Sequence, residues 1–364
     1  MTQLDVHRPV STVQYRSLLI ASAFGAGILT LPRYLVGSAG QDGWMVPLPA
    51  AVIGLVCVLL SLALLRRFPG KDVGEIFRAV LPRGAAAVLL GAYSLFSLGV
   101  AAVSLRWLAR AVEVYLLPNT PLWAVTAAFL PVIFYAVCRG NRPPARFSEV
   151  TRSLLLITLI LLLSALPRAR LTDLMPAFTA SPGEILSGIA PVLYTFSFTV
   201  LPPVFLPLVR DRPRAEKLTA YAVGAVGLIF AALTAACIAV LGSEGTGRFF
   251  FPVIMLYKTV PVPIISRLDL FFLTFWIILA VRPCINFTYA SLHYAVLAFP
   301  RLLSRSEVFA GAICFILGAA CLCMSDLARA EAVFLHLGYF VSLMAGVIPG
   351  GVLLLSVIRK RRAV

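Results

Sequence analysis

Ten long apolar runs divide this chain, and they constrain its fold more than any other feature. They cover residues 15–35, 43–65, 85–117, 121–138, 150–166, 185–209, 217–241, 268–299, 308–324 and 332–358. A helix needs about 17–25 residues to cross the hydrocarbon of a bilayer. The fifth and ninth runs are at the short end of that range. The third and eighth are longer than it, so they tilt or project beyond the hydrocarbon. Of the 364 residues, 60% are hydrophobic and 13% charged, and the mean hydropathy is +0.96. No soluble core needs so much apolar surface. Backbone polar groups in lipid must be satisfied within the segment, so runs of this length are helices. The expected fold is an all-α integral membrane bundle of ten transmembrane helices in one domain spanning residues 1–364.

The basic residues set the expected orientation. With the N-terminus inside, 21 of the 31 Lys and Arg fall on inner segments and six on outer loops; Arg33, Arg106, Arg110 and Arg282 lie within runs. Such a loop-by-loop bias supports ten crossings with both termini cytoplasmic. It also accounts for the net charge of +16 without nucleic acid, which is excluded as a partner. Residues 1–14 have no signal-peptide core or cleavage site, so the first run is expected to remain as a helix. Residues 242–267 fit no crossing. Their apolar part, from Phe249 to Tyr257, is too short to span, and reads as an amphipathic or re-entrant piece across the outer mouth.

Ten helices divide into five plus five. An odd number per half makes the second half enter the membrane from the opposite side, as in an inverted repeat with its first helices broken at the midplane. Repeat one is expected at about 15–166 and repeat two at about 185–358. Both first helices carry interruptions. Run one contains Gly25-Ala26-Gly27 followed by Pro32-Arg33, and glycine weakens a helix by about 1 kcal/mol relative to alanine. Run six contains Pro191, Pro202, Pro203 and Pro207 around Phe196-Ser197-Phe198-Thr199. Prolines remove backbone donors and free the carbonyls one turn back. A loosened backbone in lipid is tolerated only where protein buries it or a polar cavity meets it. The Gly25–Gly27 stretch is therefore either a helix-packing seam or a ligand site.

Broken helices offer free N–H groups to a carboxylate and free carbonyls to an ammonium or cation. Neither broken run carries an acid in its core, which disfavours a strongly cationic ligand and favours a zwitterion or small polar solute. The candidate ligand-binding residues are Phe24, Gly25, Ala26, Gly27 and Ile28 on the first helix, and Phe196, Ser197, Phe198 and Thr199 on the sixth. Tyr93 and Ser97 on the third could add hydroxyls. For each of these side chains alone ordinary packing is the simpler account, and the backbone of Gly25 to Gly27 is the stronger candidate. Ionised groups within the bilayer cost at least ~2.5–3.5 kcal/mol and need partners. Arg110 and Glu113, three residues apart, can pair at an interface. Arg282, followed by Pro283, must face protein or water; with Asn286 it is a structural or coupling candidate.

Catalytic signatures are missing. There is no H-E-x-x-H, G-x-S-x-G or P-loop, and the three histidines, His7, His293 and His336, have no metal-site spacing. The seven cysteines form no C-x-x-C pair and read as small buried hydrophobes. No enzyme activity, cofactor or metal is expected.

The stretch Gly25-Ala-Gly-Ile-Leu-Thr-Leu-Pro-Arg33, then Asp42-Gly43-Trp44 and Arg67-Phe-Pro-Gly-Lys71, resembles the spore germination permease family, the B subunits of GerA-type nutrient germinant receptors. Phe251-Pro252, Arg267-Leu-Asp269 and Trp276 agree with it. That family belongs to the amino acid–polyamine–organocation superfamily, so the resemblance implies a LeuT-like five-plus-five fold. It also implies a germinant-sensing role, commonly for an amino acid, in the spore inner membrane, with a membrane-embedded A subunit and a lipoprotein C subunit. The unwound first helix maps to Gly25–Ile28, and its sixth-helix counterpart falls near 196–199. A working amino-acid permease is the alternative. Run five has no interior Lys, Asp or Glu to couple protons, which favours the sensor. A sodium site built from first-helix carbonyls with Thr288 or Ser291 would favour the carrier.

Overall fold

The computed structural model describes residues 9–25, 27–259, 268–300, 306–324 and 326–359. The first run is broken where its glycines stand. Helix α1 (Thr12–Ala23) starts at a capping box: the Ser11 hydroxyl accepts from the Gln14 N–H, and the Gln14 side chain accepts from the Ser11 N–H. It stops at Ala23, and α2 (Gly27–Ala39) resumes at an angle; the two arms are bent by 49°. A 3-10 turn over Gly40–Met45 leads into α3 (Pro47–Arg67), which has proline in its first turn. Short α4 (Val73–Val80), capped by Asp72, precedes α5 (Arg83–Tyr115), a 33-residue helix with the length expected of the third run.

The fourth and fifth runs differ from expectation. Helix α6 (Leu122–Cys138) turns into α7 (Arg142–Val150) and α8 (Arg152–Leu163), and the two arms are bent by 118°. Twelve residues of α8 rise only about 18 Å, so the arm is completed by α7, which the fifth run excluded. Polar α7 lay outside the run because it packs on α1 and α14 instead of facing lipid.

The sixth run is the second broken helix. After α9 (Pro182–Ser187) and α10 (Ile189–Thr195), residues Phe196–Val200 form a 3-10 turn, followed by α11 (Pro202–Phe205) and a second 3-10 turn over Leu206–Leu208. Pro202 and Pro203 open α11 after the 3-10 turn, in first-turn positions where their missing donors are tolerated. The chain before α1 joins the end of this segment: the Val10 N–H donates to the Leu208 carbonyl at 2.9 Å.

Helix α12 (Arg212–Arg248) kinks at Gly242, whose φ of +72° is left-handed and accessible to glycine at little cost. The kink falls where the seventh run ended. The piece after it is not a surface strip: α13 (Pro252–Lys258) buries five of its seven residues and packs against α2, α12 and α14. Of the expected re-entrant stretch, residues 260–267 lie outside the described residues. The last elements are α14 (Leu268–Ala298), α15 (Ser306–Cys323), α16 (Leu327–Ser342), a π-helical turn over Leu343–Val347 and α17 (Ile348–Ile358). The core is built around α5 and α14, with α12 against α2 and α3, and α10 against α16.

Among the described residues, seven helices are long and apolar enough to cross a membrane, and two bent pairs bring the number to nine. That number takes the fourth and fifth runs together as one bent pair. All seven cysteines are free; five are buried as expected of small hydrophobes, but Cys138 is half-buried and Cys323 is exposed.

Candidate functional site

The two glycines of the first break serve close packing. Neither has a left-handed φ. A β-carbon on Gly25 would lie 3.0 Å from Cγ of Pro283 and 3.9 Å from Oγ of Ser104. One on Gly27 would lie 3.4 Å from Phe334 and from the Tyr194 ring. The break therefore touches α5, α10, α14 and α16 within a few residues. Tyr194, the penultimate residue of α10, occupies the middle. Its hydroxyl donates to the Val100 carbonyl at 3.1 Å and, with that hydrogen used, accepts from the Ser104 hydroxyl at 3.1 Å. The Tyr194 ring packs on Phe334, with centroids 4.5 Å apart.

Aromatic rings continue from there toward the Asp42 end of the bundle. Phe334 stacks on Tyr34 and meets Trp107, which in turn packs on Phe250. Over Phe250 lies the Arg33 guanidinium, 5.1 Å from the ring centroid and 3.1 Å from the Glu331 carboxylate. This ion pair joins α2 to α16. These rings fill the space along α2 from Gly27 to Arg33.

On the other side of the first break lies a small cavity of about 30 Å³, room for one or two waters. Its wall includes Phe24, Ile28, Leu155, Thr158, Trp276 and Leu279. Below it, between α1, α7 and α14, runs a buried polar seam. Asn286 donates from Nδ2 to the Ser22 hydroxyl at 2.8 Å and to Ser148 at 3.5 Å. Elsewhere on α1 and α14, Ser17 Oγ, Tyr289 OH and Arg282 Nη2 are buried without a protein partner, as is Asn286 Oδ1.

The expected site residues separate into groups. Gly25, Gly27 and Ile28 are at the first break, and Phe24 lines the cavity; Ala26 lies outside the described residues. Phe196 is at the second break, but its ring meets Phe230 and Phe198 and lies 3.2 Å from where Gly54 would carry a β-carbon, so it faces α3 and α12. Phe24 meets the same Phe230, at 5.7 Å. Thr199 spends its hydroxyl on the Phe196 carbonyl, and Ser197 and Phe198 are buried on the same turn. Tyr93 is a turn or more from Val100, beside Phe77 and Tyr294, and its hydroxyl donates to the Met344 carbonyl in the π turn. Ser97 is buried with its hydroxyl unpaired. Arg110 and Glu113 pair at 3.0 Å, partly exposed and away from both breaks. Tyr194, Ser104, Phe334 and Pro283, which surround the first break, were not among the expected residues. The available signal was Tyr194 itself, a hydroxyl two residues ahead of the proline-rich break.

Asp42 ties down a connecting segment. Outside the flanking helices, its carboxylate accepts from the backbone N–H groups of Phe178, Thr179 and Ala180 and from the Thr179 hydroxyl, at 2.6–3.1 Å. Burial works to raise its pKa, but these donors outweigh burial and hold the carboxyl below its usual range. Among the described residues, no three His, Cys, Asp or Glu side chains are grouped to hold a metal.

Comparison with solved structures shows the fold. MhsT in complex with L-phenylalanine superposes with a TM-score of 0.68 at 17% identity, covering 100% of this chain and 91% of that one. Mhp1, a nucleobase-cation-symport-1 family transporter with bromovinylhydantoin bound, gives 0.63 at 15%, covering 93% and 75%. The LeuT-like architecture that the family resemblance implied is the observed one. Among sequence relatives from Bacillus subtilis (strain 168), spore germination protein KB is 28% identical over 72% of each chain. Spore germination protein B2 is 26% identical over 71% of each, and YndE 24% over 74% of this chain and 75% of that one. The model of the spore permease family, described as spore germination protein, matches residues 9–330, and with the broken-helix bundle in place the chain belongs to that family.

Proposed function

We propose that this multi-pass membrane protein is the germinant-sensing subunit of a spore nutrient receptor. In this reading a small solute, an amino acid by preference, binds at the first break. The observation that carries it is the convergence of Gly25, Gly27, Tyr194, Ser104 and Pro283 on one interrupted segment. A helix whose continuity is lost at its tightest packing point has two arms that can move separately. Binding that favours one arrangement over the other shifts the equilibrium; moving it from 1:99 to 99:1 takes about 5.5 kcal/mol of differential affinity. No chemical step is needed. The partners that would read the shift are a membrane-embedded A subunit and a lipoprotein C subunit. The membrane would be the spore inner membrane or the cell membrane of a spore former, with both termini cytoplasmic. The amino-acid assignment draws support from the L-phenylalanine held by MhsT in the same fold.

A working permease is the second reading, favoured by the likeness to Mhp1. One experiment addresses both. Detergent-purified protein is titrated calorimetrically with the common amino acids, with Gly27→Trp as the control that fills the space before Tyr194. Wild-type binding lost in the folded variant is the expected result. Uptake by proteoliposomes then separates the readings: a sensor binds without accumulating solute, and a carrier accumulates it. Folded wild-type protein that binds none of the amino acids would overturn the amino-acid assignment.

A further inference from the structure

A second, larger cavity opens at the Asp42 end of the bundle. Its volume is about 580 Å³, within the range of small-molecule sites. Three segments form its wall: Gln41 in the 3-10 turn after α2, Thr172 and Asp173 in the 3-10 turn over Leu171–Leu174, and residues 241–245 with Arg248 at the end of α12. These segments are fastened to one another. The Arg170 N–H donates to the Ala239 carbonyl at 2.7 Å, just before the Gly242 kink, and Gln41 Nε2 donates to the Pro176 carbonyl at 2.8 Å. The Asp42 carboxylate holds residues 178–180 of the same connection. The wall is thus pre-formed, and a ligand need not order it.

The charges in this wall are unspent. Asp173, Glu244 and Arg248 all line the cavity, and none of the three is in an ion pair among the described residues. Asp173 Oδ1 accepts a long hydrogen bond, 3.5 Å, from the neighbouring Thr172 hydroxyl. Glu244 and Arg248 stand four residues apart, the spacing at which a helix pairs opposite charges, yet they do not pair. Two carboxylates and one guanidinium leave the cavity with an excess of negative charge, in a chain whose net charge is +16. Gln41, Thr172 and Ser243 add amide and hydroxyl groups. The apolar cavity beside the first break has no such lining.

We infer that this cavity is a second solute site and that its ligand is a dibasic amino acid. Such a ligand carries two cationic groups and one carboxylate, the complement of the charges in the wall. Asp173 and Glu244 take the cationic groups and Arg248 the carboxylate. Asp173 is half-buried and the other two are exposed, so each contact contributes little and the affinity is modest. The site bears on the first break through α2. Gln41 follows the end of that helix by two residues, and a β-carbon on Gly247 of α12 would lie 3.7 Å from Cγ1 of Val36. A ligand held between Gln41 and α12 fastens the α2 arm in place. The site stands independently of the solute proposed at the break.

The test uses the full purified chain and three probes: L-arginine, L-citrulline, which has the same shape without the side-chain charge, and agmatine, which lacks the carboxylate. Calorimetry measures binding, and thermal unfolding checks that each variant is folded. L-arginine is expected to bind, and each of the other two about 3–10-fold more weakly, as for loss of one exposed charge contact. Asp173→Asn combined with Glu244→Gln should abolish the preference for L-arginine over L-citrulline. Arg248→Gln should weaken L-arginine and leave agmatine unchanged. Gly27→Trp should leave L-arginine binding intact. Folded wild type that binds no L-arginine, or binds it no better than L-citrulline, would overturn the assignment. So would L-arginine binding that survives the double variant, or that is lost in folded Gly27→Trp. None of these results bears against a different solute at the break.

Discussion

Pro283 of α14 stands against Gly25 at the end of α1, its Cγ 3.0 Å from where a β-carbon on that glycine would be. This contact brings a proline-bearing helix onto the break of another, and it gives the two glycines opposite expectations. Gly25→Ala pushes on a rigid ring and should cost about 1–3 kcal/mol, as overpacking does. Gly27→Ala meets only ordinary contacts at 3.4 Å and gains helix propensity of about 0.5–1 kcal/mol. Thermal unfolding in detergent measures both; changes of the same sign would contradict the packing account.

Gly338 of α16 allows the closest approach in the bundle, since a β-carbon there would collide with the Ala190 carbonyl. Backbone cannot yield as a side chain can, so Gly338→Ala must separate α16 from α10. The expected loss exceeds about 4 kcal/mol. Size-exclusion chromatography of the variant should show no monodisperse folded peak.

Asp42 makes the 171–181 segment acid-sensitive. Its folded pKa is lowered, so its stabilising contribution is fully present above the unfolded value of about 3.9 and is lost as pH falls through the folded value. The protection of residues 178–180 against hydrogen exchange, relative to the intrinsic rate at each pH, should be unchanged from pH 7 to 5 and fall in stronger acid. Asp42→Asn should exchange faster at neutral pH and lose the acid transition.

The Arg33–Glu331 pair is partly exposed, so its contribution to stability is small, about 0–1 kcal/mol. Its placement over the aromatic column predicts a kinetic effect instead. Glu331→Gln should leave the unfolding midpoint nearly unchanged and speed ligand association in stopped-flow measurements. The charge-reversed pair Arg33→Glu with Glu331→Arg should restore the slower rate.

The membrane class, the helical content and the positions of both breaks were legible in the linear sequence. Hydropathy, proline and glycine act on the backbone within a turn or two of where they stand. The break at Gly25–Gly27 and the one before Pro202 follow from such local effects, as does the resemblance carried by Asp42-Gly43-Trp44 and Arg67-Phe-Pro-Gly. What surrounds the first break is of a different kind. Tyr194, Ser104, Pro283 and Phe334 come from four helices, and no local rule says which faces of those helices meet. The same limit explains Phe196, at the second break in sequence but turned toward Phe230 and Gly54 by the packing of α3 and α12. It explains α7, a polar segment packed on α1 and α14, where its Ser148 meets Asn286 of α14. Arg282 shows the boundary most clearly. Its depth in an apolar run was readable from sequence, but that no carboxylate among the described residues pairs with it depends on where each of them ends up. Charge in a low-dielectric interior is decided by its neighbours in space, and those neighbours exist only in the folded chain.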